Sequence, residues 1–514
     1  MVENNENNTS PPSSESLSVG EKILYSVLAV LVLCIVGYSL ITRSADRGNS
    51  AWRTASRSAT PSTPEPEWPI PQEWMEIPEL VRRGTLEQAE QRLANVDTTA
   101  ERPPEQAYIL GLLAAYLSDT DSAGQLLSQA STAQPARIEG ISSDAVEVRM
   151  GEMNLTSEEL YRTKFNLEDA QYVARAFVYR CIAEGILKDV PPGIRQAEAL
   201  VGWIRRNIAP FEPHAHNALP VIIMARGYGL ADRMCWAMLA IAAQKGIPGM
   251  MVHLFDAEKK TSPHTICQVF CGDVAVLCDP YHGIVFRRSD GSPLDLYYAR
   301  RDPTALAAYP PYAEGLSQYI KHALVRFWPI EAQAVYPRMK FLEGYAKRLP
   351  LAPVLYQDMD TLNAQVNHYL ISLPNGSSMY NSVSPAVAVH PFQVLHSFRD
   401  ESHLAYLSAY MEPYRAINQA RLLHLKGAYR PAYEQYSEAI NVELPPETQE
   451  LAALFRAQCL YELRNYDESR DEFEAFLEKY PNTRWRNQVE YYFRLIDQKK
   501  NRVTEQKSEQ DAQQ

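Results

Sequence analysis

The sequence is short of basic residues, of glycine and of paired cysteines, and each shortage excludes a class of protein. Lys and Arg number 50 against 62 Asp and Glu, and the resulting net charge of −12 argues against a protein that coats nucleic acid. Glycine (22 residues) is outnumbered by proline (35), which favours linkers and helix boundaries over a turn-rich all-β protein. The seven cysteines in 514 residues suggest neither a disulfide framework nor a C-x-x-C zinc site. No glycine-rich phosphate-binding motif occurs either, so we predict no nucleotide, metal or other cofactor.

One long uncharged run lies near the N-terminus. Residues 23–41 carry no charge, and at about 1.5 Å per residue they are long enough to span a hydrocarbon core of roughly 30 Å. A cleaved signal peptide is the alternative, but the run exceeds the usual apolar length of about 7 to 15 residues and no A-x-A site follows it. The sequence therefore predicts a single transmembrane helix at 23–41, preceded by a disordered tail at 1–22.

The charges that flank this run predict the side of the membrane on which the rest of the chain lies. Lys22 is the only basic residue before the run. Four arginines follow it closely, namely Arg43, Arg47, Arg53 and Arg57. Because flanking basic residues favour the cytoplasmic side, the larger C-terminal part is predicted to be cytoplasmic. An exported domain held by an N-terminal anchor remains the alternative, because single anchors commonly serve that purpose.

Hydrophobic residues make up 46% of the chain, which is ample for packed cores, and the composition divides the remainder into six segments. Residues 42–78 are rich in Ser, Thr and Pro and predict an extended linker, because proline at this density prevents helix formation. The other five segments are predicted as follows: helical repeats at 79–140, a domain with catalytic motifs at 165–290, a mostly helical linking region at 291–410, further repeats at 411–497 and a disordered tail at 498–514.

Helical repeats are indicated at both ends of the predicted folded part. Residues 420–440 align with residues 457–477 at an offset of 37. The second unit keeps the spacing of a tetratricopeptide repeat at Tyr466, Phe473, Phe476 and Pro481, and the earlier region matches it at Gly111, Ala114, Ala123, Leu127, Ala130 and Pro135. These residues resemble that repeat family, in which stacked helix pairs present a concave face that often holds a peptide. We therefore expect a protein partner on the repeats.

Three residues between the repeats have the order expected of an activated thiol nucleophile. Cys235 opens the helical run CWAMLAIAAQKG, where free backbone N–H groups and the helix dipole would favour a thiolate, with Asp232 as a candidate cap. His264 begins an alternating strand and Asp279 ends the next strand, so the two should lie side by side. The imidazole would accept the thiol proton and later protonate the leaving amine, while the carboxylate would orient the imidazole.

The stretch around these residues resembles the transglutaminase-like superfamily, whose members share a core with papain-type proteases. The resemblance covers roughly residues 165–290. It rests on G-x5-C-W (Gly229, Cys235, Trp236), K-G-I-P-G (245–249), H-T-I-x-Q-V-F (His264) and D-P-Y (Asp279). It implies an α+β fold in which a helix carrying the cysteine packs against an antiparallel sheet. It also implies Cys235 as the nucleophile, His264 as the base and Asp279 as the orienting acid.

One position departs from the pattern of the family. Many members have glycine two residues before the cysteine, as G-x-C, whereas Arg233 occupies that position here. The departure affects how closely a substrate backbone can approach the thiol. The family also uses an upstream Trp or Gln side chain to stabilise the oxyanion, for which Trp203 and Asn207 are candidates. The backbone N–H of Cys235 is a further candidate donor.

Two further histidines and three cysteines of this region are predicted to be structural. His214 and His216 have no third ligand at metal-site spacing and are assigned to a loop. Three cysteines fall on the predicted hairpin: Cys267, Cys271 and Cys278. We predict that they are core-facing thiols, with Cys267 and Cys278 opposite each other, which favours a reducing compartment.

Two functions are consistent with the sequence. The first is a membrane-anchored cysteine enzyme that attacks a peptide or protein amide, forms a thioester on Cys235, and passes the acyl group to water or to an amine. The second is a catalytically silent transglutaminase-like core, framed by tetratricopeptide-like repeats, that binds proteins at the membrane. The intact set of three residues favours the enzyme, whereas the departure at Arg233 and the large helical fraction favour the scaffold.

Overall fold

The computed structural model describes residues 71–83, 85–97, 100, 102–131, 164–210, 219–326, 330–357 and 415–513. The N-terminal tail, the predicted transmembrane helix at 23–41 and most of the predicted linker lie outside these residues. In the described part of the chain, no helix is both long enough and apolar enough to cross a bilayer.

The fold is α+β, as predicted, and is built around an antiparallel sheet of five strands in the order β6-β5-β4-β3-β7. Its strands are β3 (Gly249–Asp256), β4 (Thr261–Cys271), β5 (Val274–Asp279), β6 (Ile284–Val285) and β7 (Leu324–Arg326). Two short parallel strands form a second sheet: β1 (Ala209–Pro210) and β2 (Tyr228–Gly229). Strands β4 and β5 form the predicted hairpin, with Cys267 paired to Cys278.

Helices precede the sheet along the chain. They are α1 (Gln72–Met75), α2 (Ile77–Arg82), α3 (Leu86–Ala94), α4 (Pro104–Leu117), α5 (Thr120–Ala130), α6 (Leu167–Leu187), α7 (Ile194–Asn207), α8 (Pro220–Arg226) and α9 (Ala231–Ala243). The prediction of an extended linker through residue 78 is therefore wrong at its C-terminal end. Pro71 is the N-cap of α1 and Pro78 lies in the first turn of α2, positions where a missing backbone N–H costs nothing.

The two faces of the sheet belong to different hydrophobic cores. Met251, Cys267 and Val269 share a core with the buried residues of α9. Val252 and Ile266 point the other way, into a core formed with residues 294–325. Because side chains alternate along a strand, each face is set by the parity of the residue number within a strand.

The region 291–410 is predicted to be mostly helical, and its described part is only partly so. It contains short helices α10 (Leu296–Arg301), α11 (Thr304–Ala307) and α12 (Pro310–Ala313), two 3₁₀ helices (Leu316–His322 and Ala332–Val335) and α13 (Pro337–Ala346). Strand β7 was not predicted, because three residues are too few to show an alternating pattern. It pairs with β3 and forms one edge of the sheet.

The C-terminal part consists of helical hairpins. Its helices are α14 (Arg415–Leu425), α15 (Tyr429–Ile440), α16 (Pro446–Glu462), α17 (Tyr466–Lys479) and α18 (Arg486–Gln513). Tyr436 and Phe473, which the offset of 37 aligns, are both fully buried. The prediction of a disordered tail at 498–514 is wrong up to Gln513, because α18 continues through a segment without proline or glycine.

Arg421 connects the first C-terminal hairpin to the core. The side chain is 1% exposed. Its Nε donates to the Met224 carbonyl at 2.9 Å and its Nη2 donates to the Asn207 carbonyl at 3.1 Å. These carbonyls lie near the C-terminal ends of α8 and α7, where helical carbonyl groups lack intrahelical donors. A single guanidinium group therefore satisfies two helix ends.

The stability of this contact should depend on pH through His424. Its Nδ1 lies 3.1 Å from Arg421 Nη1, and its ring packs against Tyr429, Tyr436 and Phe455. Burial, and then the positive charge of Arg421, hold the pKa of His424 well below its usual value. Below about pH 6.5 the unfolded chain therefore binds a proton that the folded chain does not, and stability falls as the pH falls.

We expect the wild type to lose about 2 kcal/mol more unfolding free energy between pH 7 and pH 5 than His424→Gln. The glutamine carbonyl can accept the hydrogen bond from Arg421 but does not titrate. Urea unfolding at both pH values measures the difference, with His322→Gln as the control for an exposed histidine. Equal pH dependence in the wild type and His424→Gln would contradict this account.

Candidate functional site

His264 and Asp279 lie side by side on the hairpin of β4 and β5, as predicted. His264 Nε2 is 2.9 Å from Asp279 Oδ2, and the two side chains are 8% and 0% exposed. Two further groups reach the same carboxylate oxygen. His282 Nδ1 lies 2.6 Å from Oδ2, and the Tyr312 hydroxyl donates to it at 2.6 Å. The predicted pair is therefore part of a four-residue polar cluster.

The second oxygen of the Asp279 carboxylate is held by the backbone. Oδ1 accepts hydrogen bonds from the N–H groups of Tyr281 at 3.0 Å and His282 at 3.1 Å. Burial alone would raise the pKa of Asp279, but the hydrogen bonds from His264 and His282 outweigh it and hold the pKa well below its usual range. The carboxylate is therefore ionised, and its orientation is fixed from both oxygens.

Cys235 does not join this cluster. Cys235 lies on α9, and its side chain is fully buried between this helix and the sheet. Its thiol donates to the backbone carbonyl of Thr265 at 3.6 Å. Within the described residues, no hydrogen bond joins this thiol to His264. Asp279 has the parity of Leu277 and His264 that of Ile266, and both apolar residues face the opposite core. The pair nevertheless lies close enough for the charge of Asp279 to contribute to the raised pKa of the Cys235 thiol.

The surroundings of Cys235 favour the neutral thiol. Burial, followed by contact with Cys267, raises its pKa well above the usual value. Burial also raises the pKa of Cys271, to about 12. The core-facing positions predicted for the hairpin cysteines are confirmed, since Cys267, Cys271 and Cys278 are all fully buried. The thiolate expected at Cys235 from the sequence is therefore not supported by its environment.

Helix α9 begins earlier than predicted, and Cys235 therefore does not lie at its N-terminal end. The first helical residue is Ala231 and the N-cap is Leu230, without a side-chain cap. Asp232 lies inside the helix, where its carboxylate accepts from the N–H of Arg233 at 2.8 Å, so its assignment as the cap is wrong. Because Met234 N already donates to the Leu230 carbonyl, the N–H of Cys235 lies within the helical ladder. It is not available as an oxyanion donor.

Ala231 is the first residue of helix α9. It lies two residues after Gly229 and is half-buried. Gly229 is required for close packing, because a Cβ there would lie 2.7 Å from Cγ2 of Ile223. Gly229, the glycine that precedes Cys235 by six residues, therefore has a packing role.

The other predicted site residues lie outside the polar cluster. The Asn207 side chain donates to the Trp203 carbonyl at 3.2 Å, and its own backbone carbonyl accepts from Arg421. Trp203 belongs to the main hydrophobic core. Both residues therefore serve helix α7 and its packing. His214 and His216 lie outside the described residues.

Two members of the cluster were missed by sequence reasoning. His282 follows Asp279 by three residues, a spacing visible in D-P-Y-H that suggests a second imidazole near the carboxylate. Tyr312 lies 33 residues from Asp279 on α12, and no local pattern connects them. The cluster offers an ionised carboxylate, two imidazoles and a phenol, all hydrogen-bonded.

No protein-family model matches the chain, and neither curated proteins nor solved structures show significant similarity to it.

Proposed function

We propose that this chain is a protein-binding scaffold with a catalytically silent, transglutaminase-like core framed by tetratricopeptide-like helices. One observation carries the proposal: the head of helix α9 bears Ala231, while the nearby Cys235 is buried one turn further on. An acyl-transfer enzyme needs its thiol near the base and open to a substrate carbonyl. Here the thiol is enclosed and donates to the Thr265 carbonyl, and among the described residues no hydrogen bond joins it to His264.

A groove between the N-terminal and C-terminal helices supports a binding function. It has a volume of about 700 Å³ and lies between helices α2–α5 and helix α14. Apolar residues from both sets of helices line it: Val81, Leu93, Leu117, Leu422 and Leu423. A second depression of about 800 Å³ shares Glu90 and Gln419 with it and extends along α15. Together the two depressions are lined by residues of helices α2–α5, α14 and α15.

The charge of this surface indicates the chemistry of its partner. Exposed carboxylates line it at Glu87, Glu90, Asp119, Glu434 and Glu438. Lys426 also lines the groove, but its ammonium group donates to the Tyr116 carbonyl and the Ser118 hydroxyl. An apolar floor with an acidic rim is complementary to a segment that combines Lys or Arg with Leu-like side chains. We therefore propose a basic amphipathic peptide of a protein partner as the ligand.

Binding of a defined peptide tests this function. We expect a fluorescently labelled Lys/Leu peptide to bind the full-length chain, and a Glu/Leu peptide of equal length not to bind. The double variant Glu434→Lys/Glu438→Lys should weaken binding of the Lys/Leu peptide at least tenfold, because it reverses two charges on the rim. Fluorescence anisotropy measures the dissociation constants.

Two further variants separate this function from its alternatives. Asp471→Lys/Glu478→Lys makes the same change in net charge on exposed positions of α17 and should leave binding unchanged. Cys235→Ala should also bind normally, because the thiol plays no part. Equal losses in both charge variants would indicate non-specific attraction. Turnover of a peptide amide that disappears in Cys235→Ala would instead support the enzyme.

A further inference from the structure

We propose that His264, Asp279 and His282 bind a divalent transition-metal ion of the zinc class. One ligand atom from each residue, an imidazole nitrogen or a carboxylate oxygen, lies within 4.8 Å of the other two. Two histidines and one carboxylate are a common donor set for such ions. The proposal does not depend on the scaffold function, because none of these three residues lines the groove.

The charge balance of the cluster favours a bound cation. The Asp279 side chain is fully buried, yet both of its ion-pair partners in the described structure are histidines. An imidazole carries positive charge only when it is protonated, so the carboxylate has no permanent cation beside it. Buried charges are normally paired or coordinate a metal. A divalent ion would supply the missing positive charge.

The arrangement of side chains around the Asp279 carboxylate also favours a metal ion. A pair that only orients one imidazole requires a single hydrogen bond, but His264, His282 and Tyr312 all converge on the same oxygen, Oδ2. The other oxygen, Oδ1, is fixed by two backbone N–H groups. Three side chains are thus gathered around one point on a carboxylate whose orientation is already fixed.

The distances allow an ion to enter after a small adjustment. Ligands about 2.1 Å from a zinc-class ion are separated from one another by roughly 3.0 to 3.4 Å. The present separations from Oδ2 are 2.9 Å for His264 Nε2 and 2.6 Å for His282 Nδ1. Binding therefore requires each imidazole nitrogen to move away from Oδ2 by a few tenths of an ångström, and the two nitrogens, which lie within 4.8 Å of each other, to reach a similar separation. Each imidazole would offer its lone pair and keep its proton on the other ring nitrogen.

Access and ion preference follow from burial and donor type. The His282 side chain is 27% exposed and lies in the turn after β5, so it provides both a route and the freedom to adjust. Imidazole nitrogen suits Zn²⁺, Co²⁺ and Ni²⁺, whereas Mg²⁺ and Ca²⁺ prefer sets made only of oxygen. Water would complete the coordination.

Metal titration of the chelator-treated full-length chain tests the site. We expect one Zn²⁺ or Co²⁺ to bind per chain, to raise the melting temperature, and to compete with the other ion for the same site. Mg²⁺ and Ca²⁺ should have no effect. With Co²⁺, the visible spectrum should show nitrogen and oxygen ligands without the thiolate charge-transfer bands that the buried cysteines would give. His282→Ala should weaken binding at least 100-fold.

Two variants control for misfolding and for binding of the ion at surface histidines. His282→Asn is the more conservative change, because its amide can still hydrogen-bond to Asp279, and it should fold normally yet lose the same affinity. His322→Ala removes an exposed histidine from the 3₁₀ helix Leu316–His322 and should bind like the wild type. Unchanged affinity in a folded His282→Asn variant, thiolate bands with Co²⁺, or no binding at millimolar ion would each overturn the proposal.

Discussion

Ala231→Cys should carry the most reactive thiol in the described part of the protein. The first turn of α9 offers backbone N–H groups without helical acceptors and the positive end of the helix dipole, both of which favour a thiolate. Ala231 is half-buried, whereas Cys235 is fully buried and bonded to the Thr265 carbonyl. At pH 7 we expect iodoacetamide to alkylate the new thiol at least tenfold faster than it alkylates Cys235 in the wild type.

Peptide mass spectrometry on the full-length chain, sampled over time between pH 5 and pH 9, locates and measures the reaction. Cys235 should react only when the chain is unfolded in urea. Adding His264→Ala to Ala231→Cys then shows how much of the low-pH reactivity the imidazole supplies beyond the helix terminus. Rapid alkylation of Cys235 in the folded wild type, lost in His264→Ala, would contradict the silent core and restore the enzyme hypothesis.

Arg338→Ala should unfold the protein at much lower urea concentration. Arg338 and Asp169 form a two-pronged ion pair, with Nη2–Oδ1 at 2.8 Å and Nε–Oδ2 at 3.0 Å, and both side chains are almost fully buried. Removing the guanidinium leaves a carboxylate in the core without its cation, which typically costs about 3 to 5 kcal/mol. Asp169 also closes the capping box of α6 with Asn166, so the loss should affect the start of that helix.

A surface pair and a double variant provide the controls. Arg83→Ala removes the exposed Arg83–Glu79 pair and should cost less than about 1 kcal/mol. Arg338→Met combined with Asp169→Asn removes both charges, and it should recover at least half of the stability lost in Arg338→Ala. If Arg338→Ala is as mild as Arg83→Ala, the buried pair contributes little.

The part of the site that sequence reasoning predicted correctly is the part that local geometry determines. His264 and Asp279 lie on adjacent strands joined by a short turn, so strand spacing alone places them together. The helical pattern at offset 37 likewise predicted helices α15 and α17, in which Tyr436 and Phe473 are both fully buried. Local periodicity carries this information without any knowledge of distant contacts.

The failures arose where a boundary or a long-range contact decides the outcome. The hydrophobic pattern did not fix the start of α9 to within one turn, and Asp232 resembles a cap although it lies inside the helix. Because of that shift, Cys235 is a buried core thiol and not a thiol in the first turn of the helix. Which face of β4 met α9 was also not predicted, because only packing determines it. The approach of Tyr312 to Asp279 depends on a chain reversal that leaves no local sequence signal.

The contact made by Arg421 can form only late in translation, because its partners lie far upstream in the chain. Its partners Met224 and Asn207 precede it by 197 and 214 residues. At about 5 to 20 residues per second, a ribosome needs roughly 10 to 40 s to progress from Met224 to Arg421. During that time the carbonyl groups of Met224 and Asn207 lack the Arg421 guanidinium that donates to them in the folded protein. Completion of the core therefore follows translation of the first C-terminal hairpin.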